Sequence, residues 1–240
     1  MKQPLVSAYI PTFNRADLLI ERCLTGILAQ TYANLEIIVV ADGCTDDTAQ
    51  RVRALGDTRI RVVDIARRRR YPPSPENHWF AGRVAAANAG LRECAGAWIA
   101  TCDDDDVWTP DHVETLLRFA QKGDYEFVSS GYECIFDVGG CETHRVVMHD
   151  GETPPIGGIQ TWLYRAYLKS FRFNPDCWRK RWNAVCDVEL ADRFRKAGVR
   201  IGLSSAVTVR IYPRPGQQHV GLKAYRENAE KTLNHFAFTK

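Results

Sequence analysis

Asp103, Asp104, Asp105 and Asp106 stand in an unbroken run between the apolar Ala97–Trp98–Ile99–Ala100 and Val107–Trp108–Thr109–Pro110. Adjacent carboxylates repel one another, so an acidic cluster at the end of a buried strand calls for a cation, and a set of hard oxygen ligands favours Mg²⁺ or Mn²⁺. The competing reading is a solvated loop leading into a helix, with Pro110 in the first turn and Asp111 behind it. Other polar residues sit at comparable places. Thr12 and Asn14 follow the apolar run that ends at Pro11, and Asp42 follows LEIIVVA.

The elements that position these residues are legible as alternating strand and helix patterns. Residues 5–12 and 35–42 read as strands, with a helix over Ala16–Gln30 between them, where Leu18, Leu19, Cys23, Ile27 and Leu28 fall at near-helical spacing. Asp46 and Asp47 open a helix through about Leu55, residues 59–65 form a third strand, and Val84–Cys94 is a helix before a strand at Ala97–Cys102. Such alternation predicts an α/β protein with a mostly parallel central sheet flanked by helices. In that architecture ligands bind beyond the carboxyl ends of the strands, which brings Thr12 to Asn14, Asp42 and Asp103 to Asp106 to one edge. Beyond Glu126 an α+β continuation is expected: one or two strands in EFVSSGYECIFDV, helices over Gly157–Lys169 and Val185–Ala197, and a strand over 200–212. Arg67 to Arg70 and the following YPPSPEN are expected to be loop, because of the three prolines. No linker or repeat divides the chain, so it reads as a single domain over 1–240.

Composition narrows the function. The 32 basic and 29 acidic residues leave a net charge of +3, so the chain as a whole does not advertise a polyanion partner, and nucleic-acid binding is not expected. The eight cysteines, at 23, 44, 94, 102, 134, 141, 177 and 186, contain no C-x-x-C pair and read as reduced thiols. The first apolar stretch is too short for a signal peptide and no window reaches the length of a membrane span. A cytoplasmic location is the expectation, with peripheral contact at a membrane surface left open.

Read in order, VSAYIPTFNR, LEIIVVADGCTDDT, AAANAGLRECAGAWIATCDDDDVWTPDHVETL and CDVELADRFRKAG resemble the family 2 inverting glycosyltransferases of GT-A fold, over roughly residues 5–200. The resemblance implies transfer of a sugar from a nucleotide-diphosphate donor, with UDP or dTDP favoured, to a glycan or other acceptor hydroxyl, in synthesis of bacterial-type surface polysaccharide or glycoconjugate. It makes residues 1–106 the nucleotide-binding half and 107–240 the acceptor-side half, places Pro11, Thr12 and Asn14 beside the base, and gives Asp42 the imide N–H. Where the family usually has an aspartate before this one, the chain has Ala41. Asp103-x-Asp105 matches the D-x-D of the family, implying Asp103 at ribose or metal, Asp105 as the main ligand of Mn²⁺ or Mg²⁺, and Asp106 on the diphosphate side. Asp104 fills the variable position beside the donor. Asn88 and Gly90 match an A-x-N-x-G pattern at the nucleotide pocket, and Arg83 is placed to reach a phosphate. His219 stands where many relatives carry a histidine at the metal or diphosphate. The family's base is the aspartate of an E-D pair, which aligns with Cys186–Asp187, making Asp187 the candidate base and Glu189 the fallback.

Each of these residues has a plainer structural reading. Asn14 and Asp42–Gly43 suit turns, Asp187 suits the first turn of a helix, and Trp162, Trp178 and Trp182 suit a core as well as a sugar-stacking surface. His78 and His112 carry weaker functional claims than His219. The run Arg67 to Arg70 suits a solvated loop, a diphosphate, an anionic acceptor or an anionic membrane. Two other functions compete: a nucleotidyltransferase, which would want a Gly-rich basic loop that PTFNR lacks, and a degenerate nucleotide-sugar-binding domain, which the missing glutamate at Cys186 favours.

Overall fold

A computed structural model describes residues 3–66, 71–72, 74–136, 140–144, 155–179, 181 and 184–213. His219, Trp182 and Arg67 to Arg70 lie outside the described residues.

Strand β1 (Val6–Thr12) leads into α1 (Ala16–Leu18), a π-helical segment (Leu19–Leu24) and α2 (Thr25–Leu28), so the expected first helix is one run with a π-turn inside it. Strand β2 (Leu35–Asp42), helix α3 (Thr48–Ala54) and strand β3 (Ile60–Ile65) follow. Next come α4 (Pro75–Ala81), α5 (Val84–Glu93), β4 (Trp98–Thr101), β5 (Asp106–Trp108) and α6 (His112–Lys122). The second half contributes β6 (Phe127–Phe136), β7 (Gly140–His144), β8 (Leu163–Arg165), α7 (Cys186–Lys196) and β9 (Ile201–Ile211).

The nine strands among the described residues form one sheet in the order β3-β2-β1-β4-β8-β6-β9-β5, with β7 paired to β6. The β3-β2-β1-β4 portion is parallel throughout. Beyond β4, antiparallel pairs (β4–β8, β8–β6, β9–β5) surround one parallel pair, β6–β9. Side chains alternate across the sheet, so β2 sends Ile37 and Val39 to one apolar cluster and Ile38 and Val40 to the other. Helical cover on both faces is why residues 37–41, IIVVA, are apolar without interruption. At Gly90 of α5, an added Cβ would lie 3.1 Å from Tyr9 and Val40, so the glycine lets the helix lie close on β1 and β2. A packing role thus explains that position of the A-x-N-x-G pattern.

Two expectations are corrected. Residues 157–169 do not form a helix: a 3₁₀ turn (Ile159–Thr161), β8 and a second 3₁₀ segment (Ala166–Phe171) occupy the region. The apolar run there is buried against β4 and β6, and sheet pairing overrides the helical spacing. The prolines after residue 70 do not exclude regular structure either. Pro75 stands at the start of α4, where a missing N–H costs no hydrogen bond, and the Ser74 side chain caps Asn77 N–H at 3.2 Å.

Candidate active site

The site forms where β1, β2 and β4 end. Thr12 closes β1, Asp42 closes β2, and the four aspartates follow β4, so the parallel register alone brings three distant segments together. Asp104, Asp105 and Asp106 are all buried, at 4%, 8% and 4% exposure. That excludes the solvated-loop reading, because carboxylates this buried need partners.

Asp104 has them. Its Oδ2 accepts from the Thr12 hydroxyl at 2.8 Å and its Oδ1 from Arg15 Nη1 at 2.8 Å. Arg15 Nη1 also stands 3.9 Å from Asp105. Burial works against the Arg15 charge, but Asp104 and Asp105 more than offset it and raise its pKa. Asp103 accepts from Arg83, the residue immediately before α5. Burial opposes that guanidinium as well, and Asp103 is the main influence that restores its charge. Asp106 opens β5, pairing with Ile211 of β9. Beneath the loop, the buried Cys23 and Cys102 thiols meet at 3.6 Å. Cys23 sits in the π-helical turn, a feature frequent at functional sites.

Asp187 lies in the first turn of α7, half-buried, with Oδ1 accepting from Val188 N–H at 2.9 Å. Desolvation raises its pKa, and the Arg83 charge acts in the opposite direction. One guanidinium therefore influences Asp103 on the strand edge and Asp187 on the helix. Glu189 is in a different position. Both of its oxygens accept from Arg193, at 2.9 Å each, and it is 7% exposed. A bidentate pair with Arg193 leaves it bracing α7, not poised for proton transfer.

Several sequence-derived residues turn out to brace neighbouring segments. Asn14 adopts a left-handed φ of 50°, which asparagine tolerates, and its amide bonds Thr45 through both ends at 2.9 and 2.8 Å. It clasps the loop after β1 to the loop after β2. The Asn88 amide likewise pairs with both Phe173 N–H and Phe173 C=O, at 2.8 and 2.9 Å. Pro11 lies within β1 opposite Val40. Trp162 is fully buried, its indole N–H donating to Gly157 C=O at 2.9 Å, so it is core. Trp178 is half-buried under the Arg179 guanidinium. His112 is fully buried beside Trp108, and burial takes its pKa down to about 3. His78 is buried on α4. Sequence reading overlooked Arg15 and Tyr71, whose hydroxyl donates to the Asp42 carboxylate at the end of β2. Arg15 stood in the quoted PTFNR, and four adjacent carboxylates gave a reason to seek a cation near them.

Among the described residues no group of three or more His, Cys, Asp or Glu side chains is arranged to enclose a metal. Mg²⁺ is usually held by one or two carboxylates plus substrate phosphates. Asp105, buried and two residues along the chain from Asp103, is a hard oxygen donor of the kind such a partial ligand set uses. No described helix is long and apolar enough to cross a membrane.

The order of strands and this edge define the GT-A glycosyltransferase fold, and solved structures agree. The S. aureus TarS 1–349 complex with UDP-GlcNAc superposes with a TM-score of 0.64 at 17% identity, covering 95% of this chain and 65% of that one. The Pyrobaculum calidifontis mannosyltransferase PcManGT, bound to GDP-Man and Mn²⁺, gives 0.65 at 20% identity, covering 99% and 71%. The sequence model of glycosyl transferase family 2 matches residues 7–181, and the chain belongs to that family. Among curated relatives, the Escherichia coli UDP-Glc:alpha-D-GlcNAc-diphosphoundecaprenol beta-1,3-glucosyltransferase WfgD is 30% identical over 135 residues, 56% of this chain and 48% of the relative. The putative colanic acid biosynthesis glycosyl transferase WcaA of E. coli K12 is 35% identical over 121 residues, 50% and 39%. The chain thus matches less than half the length of these relatives.

Proposed function

We propose that the chain transfers a sugar from a nucleotide-diphosphate donor to an acceptor hydroxyl with inversion at the anomeric carbon, in assembly of a bacterial-type surface polysaccharide or glycoconjugate. The observation that carries this reading is the convergence of Thr12, Asp42 and the buried aspartates where β1, β2 and β4 end, with Arg83 paired to Asp103 at that edge. Family membership and the polysaccharide-pathway relatives support the reaction class.

In this reading Asp42 accepts the imide N–H of a uracil or thymine base, a charge-assisted bond that selects for those bases. UDP-bound TarS and the UDP-Glc-using WfgD support UDP over the GDP-Man that PcManGT holds. Asp105 and Asp103 would hold Mn²⁺ or Mg²⁺ together with the diphosphate. Such an ion, when bound, supplies Lewis-acid neutralisation of charge on the departing diphosphate. Asp187 accepts the proton of the acceptor hydroxyl as its oxygen bonds to the anomeric carbon and the carbon–oxygen bond to the diphosphate breaks. Arg83 orients Asp103 and favours the ionised form of Asp187. Arg15 and Thr12 fix the acidic loop through Asp104. The nucleotide-binding and acceptor-side halves act as one catalytic unit, and a cytoplasmic location with peripheral membrane contact fits a lipid-linked acceptor of the kind that the WfgD name describes.

The test is thermal-shift binding of UDP, dTDP, GDP and CDP, each with Mn²⁺, Mg²⁺ or EDTA, on the chain and its Asp105→Ala variant. A ligand that binds only the folded state raises the melting temperature according to its occupancy. The expected result is a metal-dependent shift with UDP or dTDP that the variant loses. No shift with any nucleotide would overturn the reading in favour of a degenerate domain.

A further inference from the structure

Tyr71 reaches across the sequence to donate its phenol hydrogen to Asp42 Oδ2. Asp42, the last residue of β2, is 3% exposed. On the other side the Tyr71 ring meets the buried His78 ring edge-on, with centroids 5.3 Å apart at 74°. The tyrosine is therefore held by its ring on α4 while its hydroxyl rests on the carboxylate. None of the sequence motifs draws attention to it.

We propose that Tyr71 is a positioning residue for nucleobase selection, acting through Asp42 on uracil and thymine nucleotides. The inference rests on the reading of Asp42 as the acceptor for an imide N–H. A phenol bonded to an ionised carboxylate makes a charge-assisted bond. With Oδ2 tethered, rotation of the carboxylate is restricted and the direction presented by Oδ1 is set. An ionised carboxylate only accepts hydrogen bonds. It therefore matches the N3–H of uracil or thymine and opposes the unprotonated N3 of cytosine, where two acceptors would face each other. Without the phenol the carboxylate can turn, or take up a proton and donate to cytosine, and both changes erode the distinction.

The experiment is calorimetric titration of UDP, dTDP and CDP, with Mn²⁺ present, into the wild-type chain, Tyr71→Phe and Asp42→Asn. Tyr71→Phe keeps the ring against His78 and removes only the hydroxyl. The expected result is a Kd for UDP and dTDP raised roughly tenfold, with the preference for UDP over CDP reduced and the melting temperature unchanged. The UDP to CDP ratio is internal to each variant, so a misfolded fraction does not move it. Asp42→Asn is expected to lose UDP binding and preference more completely. If Asp42→Asn loses UDP while Tyr71→Phe keeps wild-type affinity and preference, the role of Tyr71 is overturned and that of Asp42 stands. If Tyr71→Phe binds UDP more tightly, the phenol is a competitor for Asp42 and the proposal also falls. If Asp42→Asn leaves UDP binding unchanged, the base-acceptor reading fails and the Tyr71 proposal fails with it.

Discussion

The Thr12 hydroxyl donates to Asp104 across 2.8 Å, tying the end of the first strand to the acidic loop 92 residues later. Arg15 completes the contact from the same segment as Thr12. Asp104, in the variable position of the D-x-D match, thus faces its own protein. Its two carboxylate oxygens are engaged by β1 and the loop after it.

Arg15→Met should destabilise the chain by about 3 kcal/mol, because it leaves a buried carboxylate with only the Thr12 hydroxyl. A loss of that size lowers the melting temperature by roughly 6–12 °C in a chain of this size. Scanning calorimetry at neutral pH measures it, and a variant that melts with the wild type would show that Arg15 and Asp104 do not hold the loop.

Asp187→Asn should reduce sugar transfer by roughly 10²–10⁴-fold, the usual contribution of a general base, with donor binding retained. Glu189→Gln should instead lose stability while keeping its turnover per folded molecule, since its contacts are with Arg193. Transfer assays paired with nucleotide binding distinguish the two. Equal loss of turnover in both variants would contradict the separate roles.

The pH profile of transfer should have an acidic limb above the ordinary aspartate value of 3.8, because desolvation raises the Asp187 pKa. Activity falls as pH drops through the raised value. Stability moves the other way at this group: the folded state binds the proton more tightly, so the stabilising contribution is present at low pH and is lost as pH rises through the folded pKa. Asp187→Asn should abolish this contribution to the pH dependence of melting. An unchanged dependence would place the titration elsewhere.

Asp105→Ala should remove the difference between Mn²⁺ and EDTA in nucleotide binding, because the diphosphate would lose its protein-held counter-ion. Loss should be selective, with the fold retained in far-UV circular dichroism. Metal-dependent binding that survives in the variant would move the ligand role to another residue.

Much of the first half was legible because its signals are local. Strand β2 begins and ends at the expected Leu35 and Asp42, since an apolar run bounded by polar residues has one comfortable place in a covered parallel sheet. Residues 157–169 were misread because an apolar segment carries no periodic record of which neighbour will bury it, and here β4 and β6 claim it as a strand. The Pro75 helix start was misread for a different reason: a proline forbids a helix interior but suits its first residue.

By itself the sequence determined the family, the alternation of strand and helix, and the arrival of Thr12, Asp42 and the aspartates at one sheet edge, because each follows from short-range pattern. Tertiary structure alone decided what these polar groups face. Asp104 turns to Thr12 and Arg15, Asp103 to Arg83, Glu189 to Arg193 and Asp42 to Tyr71. A buried charge must find a partner, and which one it finds depends on distances between segments that spacing along the chain does not encode.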